Sequence, residues 1–110
     1  MKAIYILFIS FLFSCSNNIE HVWAVKLIVF EDKEIELNVN HLIFKKENKC
    51  IVPQVYNEWY NTKANWEYVS KNKIRIFNCE YSNFNDTFSF KIEQENLFLQ
   101  SKKTFIRGNL

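Results

Sequence analysis

Hydrophobic and polar residues alternate one by one along much of the chain after residue 20. Three stretches show the pattern: Ile35-Glu36-Leu37-Asn38-Val39, Lys73-Ile74-Arg75-Ile76 and Phe88-Ser89-Phe90-Lys91-Ile92. Successive side chains of a β-strand point to opposite faces, so this period of two predicts strands with one buried and one wet face. The run 22–30 is apolar on both faces except at Lys26, which predicts a long, well-covered strand.

Short polar segments separate these runs and predict the turns. They are Glu31-Asp32, Glu47-Asn48, Lys71-Asn72, residues 83–86, residues 94–96 and Lys102-Lys103. The predicted strands are 21–30, 34–39, 41–46, 49–53, 65–70, 73–79, 86–93 and 96–107, the last divided by its lysine pair. Residues 54–64 interrupt the rhythm after Pro53, which ends a strand, and are expected to form a long loop or one helical turn.

The regular spacing of about eight short strands favours an antiparallel meander in a single domain, residues 20–110. A closed barrel removes the exposed strand edges, whereas a nearly closed sandwich does not fully remove them. We therefore predict an all-β fold, with the barrel favoured over the sandwich. The interior of such a barrel is either filled by side chains or holds one small ligand, and the sequence leaves both alternatives open.

The first fifteen residues have the features of a secretory signal. Lys2 gives a positive start, and residues 3–13 form an apolar run broken only by Ser10. An apolar segment of about 7–15 residues is typical of such a signal and is too short to span a membrane. Leu12, Ser14 and Cys15 resemble the lipobox of bacterial lipoproteins, which has an aliphatic residue three places before an invariant Cys and a small residue directly before it.

This resemblance implies that residues 1–14 are a signal peptide and that Cys15 is the first residue of the mature protein. Cys15 would carry a diacylglyceryl thioether and an N-linked acyl chain such as palmitate, and two or more chains hold a protein stably at a bilayer. Residues 15–19 would be the lipidated cysteine and a short tether. Ser16 favours the outer membrane, with the domain facing the periplasm or exposed at the cell surface. The alternative is an ordinary cleaved signal that ends in Cys.

Composition excludes several classes of function. Removing residues 1–14 from the 110 leaves 96, one small domain, whose formal charge falls from +2 to +1 because the signal contains one Lys. The basic residues are interleaved with Glu and do not form the basic face that nucleic-acid binding needs. Gly108 is the only glycine, which excludes a glycine-rich phosphate loop. We expect no cofactor and no nucleic-acid partner.

The order of landmarks along the body resembles that of small lipocalin-like lipoproteins of Bacteroidota. The residues that carry the resemblance are Trp23, the segments 40–44 and 48–53, Asn65-Trp66-Glu67-Tyr68, Lys73-Ile74-Arg75-Ile76, and the C-terminal segments 88–92, 97–101 and 104–106. The resemblance covers most of residues 20–107. It implies a lipocalin-like barrel that binds an apolar ligand, and it carries over no catalytic residue.

Two cysteines remain once Cys15 is assigned to the lipid. Cys50 and Cys79 would meet an oxidising periplasm, where a disulfide can persist. The alternative is a pair of buried free thiols that act as small hydrophobic residues. Both cysteines fall on predicted strands, and the sequence leaves the two alternatives open.

Catalytic and metal-binding patterns find little support in the sequence. His21 and His41 are the only histidines, and they lie near the beginnings of separate predicted strands. No His-x-His or Cys-x-x-Cys spacing is present, so we predict no metal site. A Cys–His nucleophile would need Cys50 or Cys79 beside an activating base, and a structural role is favoured instead. We therefore expect a protein that is not an enzyme.

Aromatic residues between 56 and 68 are the best functional candidates. They are Tyr56, Trp59, Tyr60, Trp66 and Tyr68. Amphipathic aromatic side chains beside a loop suit a ligand mouth, a sugar-stacking platform or a protein contact, or they simply fill and close the barrel. The favoured hypothesis is a non-enzymatic, lipid-anchored module that binds a small apolar or amphipathic ligand through Trp23, Trp59, Tyr60, Trp66 and Phe90. The alternative is a protein-interaction module, such as an inhibitor of an envelope hydrolase or an envelope assembly partner, which offers residues 54–64 and would have a filled barrel.

Overall fold

A computed structural model of the protein describes residues 18–110. Its strands are β1 Val22–Phe30, β2 Lys33–Glu34, β3 Leu37–Val39, β4 His41–Phe44, β5 Lys49–Ile51, β6 Gln54–Val55, β7 Lys63–Ser70, β8 Lys73–Phe77, β9 Asp86–Glu93, β10 Asn96–Gln100 and β11 Thr104–Asn109. One turn of 3-10 helix, Ser82–Phe84, connects β8 to β9. Over this part of the chain, no helix has the length and apolar character needed to cross a membrane.

Eight strands form a closed antiparallel barrel. Their order is β1-β4-β5-β7-β8-β9-β10-β11, and the barrel closes where β11 pairs with β1. The closing register places Ile28 opposite Ile106 and Phe30 opposite Thr104. The prediction of an all-β antiparallel barrel is therefore confirmed, and the first and last strands of the barrel leave no open edge between them.

The structure differs from the expected strands in two connections. The predicted strand 34–39 is divided into β2, which pairs with the end of β1, and β3, which leaves the barrel. Residues 54–64 form neither a helical turn nor a plain loop, because β6 pairs with β3 and β7 begins at Lys63. Leu37 and Val55 lie opposite each other in this small two-stranded sheet, and both pack on the hydrophobic core.

A β-bulge in β1 explains the position of Lys26. The pairing of β1 with β11 shifts register between Val25 and Leu27. An extra residue in one strand reverses the alternation beyond it, so Trp23 and Val25 point inward before the bulge and Ile28 and Phe30 point inward after it. Lys26 takes the extra place and is exposed.

The interior of the barrel is filled by side chains. Trp23 is 1% exposed, and Phe84 and Phe88 are 0% exposed. The remaining large side chains that are almost fully buried are Ile19, Ile28, Leu42, Val52, Ile74, Ile76, Leu97, Leu99 and Ile106. Depressions of the described surface open on its outside, such as one of about 440 Å³ whose lining includes Lys45, Lys49 and Lys63.

The strand directions define two ends of the barrel. The proximal end holds Ile19, the beginning of β1, the turns 45–48, 71–72 and 94–95, and Leu110. The distal end holds the connections 31–40, 52–62, 78–85 and 101–103. The predicted signal peptide 1–14 and Cys15 precede Asn18 and lie outside the described residues.

Candidate functional site

The five aromatic residues predicted to bind a ligand do not converge on one pocket. Trp23, Trp66 and Phe90 are buried in the barrel, with exposed fractions of 1%, 3% and 6%. Tyr60 is half-buried in the distal connection 52–62. Trp59 lies one residue before it and is 91% exposed. The set therefore divides into core residues, one residue that supports a loop and one exposed side chain.

Trp66 and Phe90 belong to a row of aromatic rings in the proximal half of the barrel. The Trp66 ring packs edge-on against Phe44 and Tyr68, with centroids 5.1 and 5.0 Å apart, and Tyr68 lies 6.1 Å from Phe90. Trp66 Nε1 donates a hydrogen bond to the Lys45 carbonyl at 2.8 Å. These contacts satisfy the polar atom and fill the interior, so the role of this row is to pack the barrel.

Trp23 closes the proximal end together with the segment that enters the barrel. Its Nε1 donates to the Ile19 carbonyl at 3.0 Å, and Ile19 is 0% exposed. His21 packs edge-on over the Trp23 ring at 5.8 Å between centroids. The entering segment is thereby fixed to the core, and a depression of about 320 Å³, whose lining includes His21, Trp23 and Leu110, opens beside it at the surface.

Trp59 projects from the distal end on a loop formed by residues 56–62, called here the distal loop. Tyr56, in the same loop, is 53% exposed, and Val39 on the neighbouring strand β3 is 50% exposed. Tryptophan is large and mostly buried in folded proteins. A nearly fully exposed Trp therefore has no packing role in this fold.

Hydrogen bonds hold the backbone of the distal loop. The Val52 N–H donates to the Thr62 carbonyl at 2.9 Å, and the Tyr56 N–H donates to the Glu36 carbonyl at 3.0 Å. The Gln54 side-chain amide donates to the Glu58 carbonyl. Asn57 has a φ of 65°, a left-handed conformation that asparagine tolerates better than most residues. The loop is thus braced on several sides, although its tip is exposed.

Tyr60 supports the distal loop from below. Its hydroxyl accepts from the Val55 N–H at 2.8 Å and donates to the Pro53 carbonyl. Its ring stacks on Tyr81 with centroids 4.7 Å apart. Burial raises the pKa of Tyr60 to about 12, so its hydroxyl is protonated at neutral pH and both hydrogen bonds are kept. Tyr60 positions Trp59 and is not itself presented at the surface.

Cys50 and Cys79 are both free and buried in the structure, which is the second of the two alternatives that the sequence left open. Burial and, to a smaller extent, the neighbouring Cys79 raise the pKa of the Cys50 thiol to about 12. Burial also raises the pKa of Cys79, against a hydrogen bond from the Tyr81 backbone. A thiolate is the reactive form of cysteine, so both thiols are weak nucleophiles at neutral pH.

A left-handed residue directs Cys79 into the core. Ile74 and Ile76 point inward along β8, and strict alternation would place Asn78 inside next. Asn78 has a φ of 58° and is exposed, so the chain turns and Cys79 is buried instead. The Asn85 side chain then fixes Cys79, accepting from its N–H at 2.8 Å and donating to its carbonyl at 2.9 Å.

The two histidines lie on the surface of the protein. His21 and His41 are both exposed, at the proximal end and at the start of β4 respectively. Among residues 18–110, no group of three His, Cys, Asp or Glu side chains is arranged to hold a metal ion.

The sequence did not identify Tyr81, whose ring supports the distal loop through Tyr60. Phe30 and Phe84 pack on Tyr81 in turn, at 6.2 and 5.7 Å between centroids. The only local signal is that Tyr81 and Phe84 stand close together, with Ser82 and Asn83 between them. Tyr60 and Phe30, which pack on Tyr81, are distant from it in the chain, so the local pattern could not indicate that Tyr81 supports the loop.

Comparisons with known proteins add no family or relative. No protein-family model matches the chain, and no curated protein or solved structure matches it.

Proposed function

We propose that the protein is a non-enzymatic, lipid-anchored protein of the bacterial cell envelope that binds a protein partner through its distal loop. The observation that carries the proposal is Trp59, which is 91% exposed on a loop whose backbone is held by hydrogen bonds. Tryptophan is enriched among the few residues that dominate the free energy of protein association. The partner that fits is an envelope protein, such as a hydrolase, with an apolar cleft of the width of an indole ring.

The lipid anchor is proposed from the sequence. Residues 1–14 have the pattern of a signal peptide, and Leu12, Ser14 and Cys15 resemble a lipobox. Palmitate or a similar chain on Cys15 would hold the protein at the outer membrane, facing the periplasm or the cell surface.

The filled interior supports a protein partner over a small apolar ligand. A ligand-binding barrel of eight strands needs space between its side chains, whereas this one is filled by Trp23 at the proximal end, Phe88 on β9 and Phe84 in the distal connection, which are at most 1% exposed. Of the residues first expected to bind the ligand, Trp23, Trp66 and Phe90 have packing contacts that explain them, and Trp59 has none.

The braced loop lowers the cost of association. A flexible loop loses conformational freedom when it binds, and a rigid one has lost most of it already. The hydrogen bonds of Tyr60 and of the loop backbone hold residues 56–62 in one conformation before a partner arrives. More of the free energy gained by burying Trp59 is therefore left to stabilise a complex.

Site-specific photo-crosslinking in the native host tests the proposal. A photoreactive phenylalanine analogue replaces Trp59, and a control protein carries it at Lys91, an exposed position on the outer wall of the barrel. We expect a discrete protein adduct from position 59 and none from position 91. The adduct is then identified, and Trp59→Ala should weaken its binding by about 2 kcal/mol, or roughly thirtyfold, while Lys91→Ala changes it little.

Native mass spectrometry of the protein extracted from its host separates the two functions. A bare lipoprotein agrees with the protein-interaction proposal. A stoichiometric small-molecule adduct beyond the covalent lipid would contradict it and would restore the ligand-binding hypothesis. Equal crosslinking from positions 59 and 91 would also contradict it.

A further inference from the structure

The exposed large hydrophobic residues of the described chain divide between the two ends of the barrel. Val39, Tyr56 and Trp59 belong to the distal end. The other four belong to the proximal end, where their exposed fractions are 52% for Val22, 48% for Tyr68, 52% for Val69 and 56% for Leu110. We call these four residues the proximal surface. Their common position at one end needs an explanation, because scattered exposed apolar residues are normal but a shared surface usually marks an interface.

The entering chain restricts what the proximal surface can face. Ile19 is 0% exposed and is fixed to Trp23 by a hydrogen bond of 3.0 Å. Only residues 16–18 separate Ile19 from Cys15. An extended chain spans at most about 3.3–3.6 Å per residue, so Cys15 lies within about 14 Å of the proximal end. A lipid on Cys15 would hold this end against the headgroup region.

From these observations we infer that the proximal surface rests on the lipid bilayer and that the barrel stands on the membrane with its distal loop pointing away. This inference depends on the lipid attachment proposed above for Cys15. The proximal surface contacts the headgroup and upper acyl region of the bilayer. The short tether 16–18 keeps this end of the barrel next to the membrane at all times, whereas a protein partner would be present only when it binds.

Tyr68 has the chemistry of a residue at a membrane interface. Its ring packs on Trp66, while its hydroxyl faces the Ile19 backbone, which opposes the rise in its pKa that burial causes. About half of the side chain is still exposed. Tyrosine is enriched where one side of a ring meets lipid and the other meets water, so Tyr68 would lie at the headgroup level beside the entering chain.

The charges at the proximal end favour contact through apolar area. The proximal turns and the strand ends beside them carry five lysines, Lys45, Lys46, Lys49, Lys71 and Lys73, and four glutamates lie at the same end, Glu20, Glu47, Glu93 and Glu95. The two signs nearly balance, so the surface lacks the excess of basic residues that anionic lipids recognise. We therefore expect the orientation to be the same on zwitterionic and on anionic membranes.

Spin-label relaxation on vesicles tests the orientation. The full lipidated protein carries a nitroxide at Lys71→Cys, in a proximal turn, or at Lys102→Cys, in a distal turn. Cys50 and Cys79 are buried with raised pKa values and should label slowly. The vesicles are phosphatidylcholine with a nickel-chelating headgroup lipid. We expect relaxation enhancement to be several-fold larger at position 71 than at position 102, and unchanged by added phosphatidylglycerol.

The controls distinguish failure of the anchor from failure of the orientation. If the protein does not partition with the vesicles, or if Cys15→Ser partitions equally well, the lipid anchor is wrong. If the protein is anchored but positions 71 and 102 relax equally, the orientation is wrong. The double variant Val69→Ser, Leu110→Ser changes only exposed side chains; it should stay anchored and lose most of the difference between the two positions. An unchanged difference would show that the proximal surface does not hold the orientation.

Discussion

Replacing Phe88 by alanine tests whether the barrel is filled. Phe88 is 0% exposed and lies on β9 opposite Ile74 of β8. A phenylalanine buries roughly 150–250 Å², which at about 25 cal/mol per Å² corresponds to about 4–6 kcal/mol as an upper estimate. Alanine keeps the Cβ and the neighbours relax in part, so we expect a loss of about 3–5 kcal/mol in the free energy of unfolding.

Urea denaturation followed by tryptophan fluorescence measures this loss. A domain of this size is stable by no more than about 5–15 kcal/mol, so the variant should unfold at a much lower urea concentration. A loss of 3 kcal/mol should lower the melting temperature by about 12–24 °C. Phe98→Ala is the matched control, because Phe98 lies on the outer wall opposite Lys91 and Arg107 and is partly exposed; it should cost much less.

A small apolar probe makes the test sharper. A dry cavity left by a deleted aromatic ring binds benzene or xenon, so benzene should raise the melting temperature of Phe88→Ala and leave that of the natural protein unchanged. If the natural protein were stabilised as strongly as the variant, it would already contain an apolar cavity. If Phe88→Ala cost less than about 1 kcal/mol, the packing argument would fail.

Three further substitutions test other features of the fold. Gly108→Ala should destabilise the protein by about 1–3 kcal/mol in urea denaturation, because its Cβ would lie 3.0 Å from the Ala24 carbonyl oxygen; an unchanged midpoint would contradict this contact. The raised pKa of Cys50 favours the neutral thiol in the folded state, so stability should fall as pH rises from 9 towards 12, by up to about 4 kcal/mol. Cys50→Ala should make that decline smaller without abolishing it, because burial also raises the pKa values of Tyr60 and Cys79, and an equal decline in both proteins would assign it elsewhere. Glu95 has a φ of 69° in a hairpin turn, a left-handed conformation that strains most residues but not glycine. Glu95→Gly should therefore stabilise the protein by about 0.5–1 kcal/mol, and a lower melting temperature would contradict the inferred backbone strain.

The sequence determined the strands and most of the turns, because both depend on neighbouring residues. The alternation in 88–92 and 73–76 was sufficient to place β9 and β8. Glu31-Asp32, Glu47-Asn48 and Gln94-Glu95 were identified from polarity alone, and in the structure both residues of each pair have positive φ. Such paired left-handed residues form the tight hairpins whose twist matches the strands.

The tertiary structure decided how the local elements combine. Closure depends on pairing between β1 and β11, which are separated by most of the chain. Whether the barrel is filled depends on the sum of side-chain volumes from all its strands, as with Trp23 on β1 and Phe88 on β9. The bulge at Lys26 and the left-handed Asn78 change which residue points inward, and a period-of-two pattern cannot show an exception that packing imposes.

The candidate site was predictable only in part. The aromatic segment 56–68 was recognised from composition, and the broken alternation around Trp59 distinguished it from Trp66 on a predicted strand, but both stayed candidates for ligand binding. The structure buries Trp66 to 3% exposure and leaves Trp59 91% exposed. That difference arises because Trp66 lies on β7 inside the barrel, whereas Trp59 lies on a loop whose position depends on Tyr81, Glu36 and β3. The identity of a residue sets what contacts it can make, and only contacts with distant parts of the chain determine whether it makes them.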